Sequence, residues 1–203
     1  MGIVVTQAVD DLLNATPTGA AALRVVDANK IAVQIASEGP PAFFVDNART
    51  KTKYIVVNTS LPPQEVAFYF CHEAHHARQN LSGASGDAKA QDRAAFIETM
   101  VNEEAVGSAI GYEFLEELRR AGRAITKPEP FRYDMYSSFV ARKRKELTAD
   151  HADWSAEKID AAVTAFGRRY VRAMVNDGFL RPNALDLYSD YYAREWARAH
   201  PPK

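Results

Sequence analysis

The chain has 203 residues, of which 47% are hydrophobic, 25% charged and 10% aromatic, and its formal net charge is −1. That composition excludes collagen-like, disordered and low-complexity chains, and the near-neutral balance gives no overall pull toward nucleic acid or membrane. The single cysteine, Cys71, excludes an intramolecular disulfide framework and suits a reducing compartment.

Met1-Gly2-Ile3-Val4-Val5-Thr6 fits an N-myristoylation pattern, which a merely small second residue also satisfies. Asp10 and Asp11 fall where a secretory leader would still be apolar, and no apolar run approaches the ~18 residues of a membrane span. The expectation is a cytoplasmic chain, or an effector exported by a non-classical route. Ile3–Asn14 is apolar at helical spacing, and Gly19–Asn29 reads as a second short helix. Lys30–Ser37, Ala42–Asp46 and Lys53–Asn58 are short, rich in Val, Ile, Phe and Tyr, and bounded by turn residues. They predict a small sheet whose last two strands form a hairpin.

Beyond Ser60 the pattern is helical. Pro62 and Pro63 suit the first turn of a helix reaching about Asn80. A Ser/Gly loop follows over Leu81–Asp87, where it suggests a flexible lid, and then a long helix over about Lys89–Ala121 that ends at Gly122. Lys127-Pro128-Glu129-Pro130 reads as a linker, and three more helices are expected near Phe131–Leu147, Ser155–Asn176 and Ala184–Ala199. The fold class is therefore α+β and predominantly helical, with a core over residues 1–122 and a helical subdomain over 123–203. Residues 1–118 carry 8 basic and 15 acidic side chains, and residues 119–203 carry 17 and 11. The densest basic run, Arg142-Lys143-Arg144-Lys145, reads as a solvated helix end rather than a nucleic-acid patch, and no nucleic-acid partner is expected.

One segment carries chemistry. His72-Glu73-Ala74-His75-His76 is an H-E-x-x-H motif, for which this composition gives only about 0.008 chance matches. On a helix, residues four apart lie about 40° apart on one face, with Cβ atoms roughly 5–6 Å from each other. His72 and His76 can therefore converge on one zinc ion, and Glu73 flanks that face within reach of a water beside it. Phe68, one turn earlier, would wall the site. His75 points elsewhere and reads as a packing residue, and Cys71, about 100° from His72, reads as a buried apolar residue.

A catalytic zinc needs a third protein ligand. The metzincin extension wants a glycine and a histidine after the motif, where this chain has Gln79 and Ser82, so that class is excluded. The candidates are Glu103 and Glu104 on the long helix. With Glu104 as origin, Ile97, Val101, Gly111 and Leu115 fall within about 60° of it, while Glu103 lies about 100° away, nearer the edge of the apolar face. Glu98, Asn102, Glu113, Glu116 and Glu117 mark the solvent side. Gly107, Ser108 and Gly111 would let another helix approach closely. Glu104 is the preferred ligand and Glu103 the alternative.

With a small sheet, this motif helix and a glutamate-bearing helix, the chain resembles a zincin metallopeptidase of the gluzincin type over about residues 30–121. It is also similar to the minimal metallopeptidase domains of bacterial polymorphic toxins and regulatory peptidases. Glu104 has Gly107 and Ser108 at the offsets where gluzincins place a small residue and Asp, Asn or Ser. The resemblance implies zinc held by His72, His76 and Glu104, and hydrolysis of a peptide or protein substrate through a zinc-activated water with Glu73 as general base. It also implies an oxyanion-stabilising His or Tyr from downstream, for which His151, Tyr133, Tyr136 and Tyr170 are candidates. The competing reading is a non-catalytic, zinc-stabilised regulatory or toxin-related binding protein. The spacing of Tyr188, Tyr191, Tyr192 and Trp196 predicts that they pack the last helix onto the body.

Overall fold

A computed structural model describes residues 4–47, 50–126, 132–183 and 185–201, and the strand-forming run around Ile55 is the centre of its sheet. Strands β1 (Ala32–Ala36), β2 (Ala42–Asn47) and β3 (Thr52–Asn58) are ordered β1-β3-β2. β1 runs parallel to β3, and β2 pairs antiparallel with it as the expected hairpin, placing Phe44 opposite Ile55. Ile55 and Val57 are fully buried while Tyr54 and Val56 are half-exposed, the alternation of a sheet covered on one face. Asn58 closes the sheet's end: its side chain donates to the Gly39 carbonyl at 3.1 Å and accepts from the Ser60 N–H at 3.1 Å.

Seven α-helices accompany this sheet among the described residues: α1 (Gln7–Asn14), α2 (Pro17–Ala28), α3 (Pro63–Ser82), α4 (Arg93–Arg120), α5 (Tyr133–Asp150), α6 (Ala156–Asn176) and α7 (Tyr188–Ala199). The predominantly helical α+β class holds. Among the described residues no helix is long and apolar enough to cross a membrane. The first three residues of the myristoylation pattern and the Lys127–Pro130 linker lie outside the described residues.

The chain divides into two compact units, Met1–Ala84 with Ile110–Lys127, and Ser85–Ala109 with Pro128–Lys203. Each unit is therefore discontinuous, and α4 contributes a part to each, whereas the sequence places a single boundary near residue 122.

In the first unit, α1 starts later than its apolar pattern because Thr6 caps it, and the buried Asp10 carboxylate accepts from the Val4 and Val5 N–H groups at 2.6 and 3.2 Å. α2 likewise begins at Pro17, with the Thr16 hydroxyl accepting from the Gly19 N–H at 3.0 Å. A Cβ on Gly19 would stand 2.3 Å from the Leu13 carbonyl oxygen, so only glycine permits the close passage of these two helices. Helix α3 packs against α1, α2, β2 and β3. That placement explains why Val66, Ala67, Phe70, Cys71, Ala74 and Ala77 are all buried around its circumference. It ends where Gly83 takes φ 71°.

The C-terminal half of α4 packs on α3 through Gly111, where a Cβ would lie 2.6–2.8 Å from the Phe68 ring. The expected small-residue approach occurs there. The expected solvent side does not extend to this end of the helix. Glu116 is buried and paired with Arg119, and Glu117 accepts from the Thr18 N–H and hydroxyl at 2.9 and 2.8 Å, satisfying one open N–H of the first turn of α2. Beyond Gly122, Gln64 of α3 holds the chain by accepting from the Thr126 N–H at 2.9 Å and donating to the Ala124 carbonyl at 2.7 Å.

In the second unit, Phe96, Val101 and Ala105 of α4 form a core cluster with Val175 of α6 and Tyr192 of α7. α5 and α6 pack as a pair, tightly where Gly167 meets the Tyr136 hydroxyl. α5 runs to Asp150, so the basic run lies within the helix rather than at its end. Arg144 pairs there with Asp160, and Lys143 lies 5.2 Å over the Phe166 ring. α7 begins at Tyr188, four residues after the expected Ala184. The Asn183 carboxamide accepts from the Leu185 and Asp186 N–H groups at 2.8 and 3.0 Å, a turn that competes with helix.

Candidate metal centre

The central turns of α3 carry the motif. One helical turn brings the Nε2 atoms of His72 and His76 to 2.9 Å, with ring centroids 4.8 Å apart. A carboxylate oxygen of Glu73 completes a group whose ligand atoms all lie within 4.8 Å of one another. His72 and Glu73 are buried and His76 is half-buried, so the cluster opens on the His76 side.

Two imidazole nitrogens bound tetrahedrally at 2.0–2.1 Å from one ion stand about 3.3 Å apart. The observed separation is a few tenths of an ångström shorter, which a small side-chain rotation covers. Two convergent nitrogens with a carboxylate beside them fit zinc by donor type as well.

Glu73 is held from outside its own helix. Its Oε2 accepts from the Phe44 N–H of β2 at 2.8 Å. This contact joins an edge strand to the motif and is invisible to a reading of spacing alone, because nothing in the residue type of Phe44 announces a backbone donor. Phe68 is buried against Gly111 and meets the Tyr112 ring edge-on at 5.4 Å, so it packs α3 on α4. His75 is buried, with Nδ1 3.3 Å from the Arg78 guanidinium. Cys71 is buried, and burial pushes its thiol well above the usual range, in keeping with an apolar role. Burial, and then the nearby Glu65 and Glu73 carboxylates, likewise raise the Tyr69 phenol.

The second unit holds the two candidate glutamates. Both are buried, Glu103 at 3% and Glu104 at 8% exposure, so helical position does not set them apart as expected. Their partners do. The Ser85 hydroxyl donates to Glu103 Oε2 at 2.8 Å, and the Tyr192 hydroxyl donates to Glu104 Oε1. Burial, followed by the Glu104 charge and this hydrogen bond, raises the Tyr192 phenol far above its ordinary value. Tyr192 is separated from Glu104 by 88 residues, and its helical spacing with Tyr188 and Trp196 announces packing but not this bond.

The residues proposed for oxyanion binding all have structural contacts in this unit. His151 stacks on Trp154 at 4.0 Å and Tyr170 on Phe139 at 4.2 Å, while Tyr133 and Tyr136 are buried. The expected lid is tied down in part, since Leu81 and Ser82 belong to α3, Ser85 is bonded to Glu103, and Gly86 packs against Met100 and Phe96. Compared with known proteins, the chain matches no family model, no curated protein and no solved structure.

Proposed function

We propose that this protein is a zinc-dependent metallopeptidase that cleaves peptide bonds in a peptide or protein substrate. The observation that carries the reading is the convergence of the His72 and His76 Nε2 atoms, with a buried Glu73 carboxylate beside them and tied to a strand edge. His72 and His76 are two ligands of the ion, and Glu104 is proposed as the third on its place in the sequence pattern alone, with Glu103, likewise buried, as the alternative.

Bound there, zinc supplies Lewis acidity, polarising a scissile carbonyl and acidifying a water. Glu73 takes the proton from the attacking water on the oxygen not held by Phe44 and delivers it to the leaving amine as the C–N bond breaks. The Phe44 N–H fixes the other oxygen, so the carboxylate keeps one orientation through the proton transfers. β2 lies at the sheet edge beside Glu73, where an extended peptide can align by backbone hydrogen bonds.

Metal content of the purified protein and cleavage of a mixed peptide pool test the reading. The wild-type chain should carry about one zinc, His72→Ala should lose it, and Glu73→Gln should keep it while cleavage falls about 10²–10⁴-fold. Absence of stoichiometric metal overturns the assignment. Retained zinc with no cleavage of any peptide favours the zinc-stabilised binding protein instead.

A further inference from the structure

A glutamate at the third position of a helix usually has a local job, accepting from the N–H of the N-cap residue. Glu65 holds that position in α3, but the cap is Pro62 and the next residue is Pro63, and proline has no N–H to give. Among the described residues the Glu65 carboxylate has no hydrogen bond and no ion pair, although it is half-buried. Burial raises its carboxyl above the ordinary value. A carboxylate drawn out of water in this way is costly until a donor or a cation meets it.

Its place on the helix gives that partner a source. Glu65 precedes His72 by seven residues, so the two point within about 20° of each other, about 10.5 Å apart along the axis. Tyr69 stands between them, and its phenol feels the charges of both Glu65 and Glu73. Glu65, Tyr69, His72, Glu73 and His76 therefore share one stripe of α3. β2 runs beside this stripe in the same sense as the helix. Phe44 meets Glu73, and two residues further on Asp46 pairs with Lys53, whose Nζ also donates to the Asn80 side-chain oxygen at 2.6 Å. A peptide aligned on the β2 edge is thus directed over Tyr69 and Glu65 as it runs past the Ala42 end.

We propose that Glu65 is a specificity residue that binds a cationic group of the peptide substrate about three residues from the scissile bond, since an extended chain advances about 3.3 Å per residue. The inference rests on the metallopeptidase reading and adds the substrate class to it: peptides that carry a Lys or Arg side chain, or a free α-amine, at that distance. Glu65 stands away from the reacting atoms, so its ion pair forms alike in ground and transition states and its loss falls on KM rather than kcat.

Steady-state cleavage of two peptide sets tests this, with zinc content and melting temperature measured in parallel. One set is blocked at both ends and carries Lys or Arg, or Gln in their place, at each position around the bond. The other compares free with acetylated amino termini on peptides that have no internal cation. Wild-type protein should prefer the cationic member of one set about tenfold in kcat/KM, the scale of one charged hydrogen bond, and less so at high salt. Glu65→Gln should abolish the preference through KM, with kcat, zinc content and melting temperature near wild type. Glu65→Lys should favour Asp- or Glu-bearing peptides instead. Glu38→Gln removes the same charge from the exposed turn between β1 and β2 and should leave the preference unchanged.

A preference lost in the first set assigns a side-chain cation, and one lost in the second assigns the α-amine. Cleavage without either preference, or with a preference that survives in Glu65→Gln, overturns the proposal and leaves the metallopeptidase reading intact. An equal loss in Glu38→Gln also overturns it, because overall charge then accounts for the effect. Protein that cleaves neither set fails the proposed function itself, and this inference falls with it, a result distinct from the others.

Discussion

The proton-accepting carboxylate proposed at Glu73 would be useful only if it stays aimed, and the Phe44 N–H holds one of its oxygens. Because the Phe44 N–H points at Glu73 Oε2 rather than into the β2–β3 ladder, proline can replace Phe44 without costing the sheet a hydrogen bond. Phe44→Pro should therefore retain zinc and lose cleavage about 10–100-fold, the scale expected when a catalytic group shifts by about 1 Å. Parallel metal analysis and peptide assays check this, and full activity in the variant would remove the Phe44 contact from the mechanism. Asp46 offers a pH test at the same scale. Its hydrogen bond from Lys53 holds its carboxyl below the ordinary 3.8, against a smaller raising effect of burial. A depressed acid stabilises the fold above its ordinary value, and that contribution fades as pH falls through the depressed one. The pair is about one-third exposed, so solvent screening keeps it under about 1 kcal/mol. Asp46→Asn should lower the urea midpoint slightly at pH 7 and leave it equal to wild type well below pH 3.8.

At the scale of elements, the C-terminal part of α4 lies close against α3 at Gly111. A Cβ at position 111 would stand 2.6 Å from the Phe68 ring, one turn before His72. Gly111→Ala gains helix propensity in α4 but forces that ring to move, and overpacking of this kind costs about 1–3 kcal/mol. The expected net result is a lower melting temperature, measurable by calorimetry, with zinc still bound because the histidines are joined by their own helical turn. A stability equal to wild type would mean that Phe68 has room to give. The elements themselves were largely readable. Period-two alternation in β3, apolar spacing in α1 and α2, and paired prolines opening α3 are local properties, and local properties survive in a single sequence. Misplaced boundaries came from side chains acting on backbone: Thr16 and Pro17 start α2 early, and the Asn183 turn delays α7.

At the scale of the whole molecule, an ion that binds the folded chain stabilises it by mass action. At a free zinc concentration 100 times the dissociation constant, the gain is about 2.7 kcal/mol, or roughly 5–10 °C in melting temperature for a chain of this size. Calorimetry with and without a chelator should show this shift in wild-type protein and lose it in His72→Ala. A shift of equal size in both would place the ion elsewhere.

The primary structure by itself determined the helical α+β class, the strand–helix order and the register of His72, Glu73 and His76, because each depends on residues within a turn or two of one another. It also picked out Glu103 and Glu104 as buried-face acids but could not rank them by surroundings. Only the tertiary structure assigned Phe44 to Glu73, Ser85 to Glu103 and Tyr192 to Glu104. Those bonds join residues 18 to 88 positions apart, and packing of whole elements, rather than any local periodicity, decides which donors meet which carboxylates.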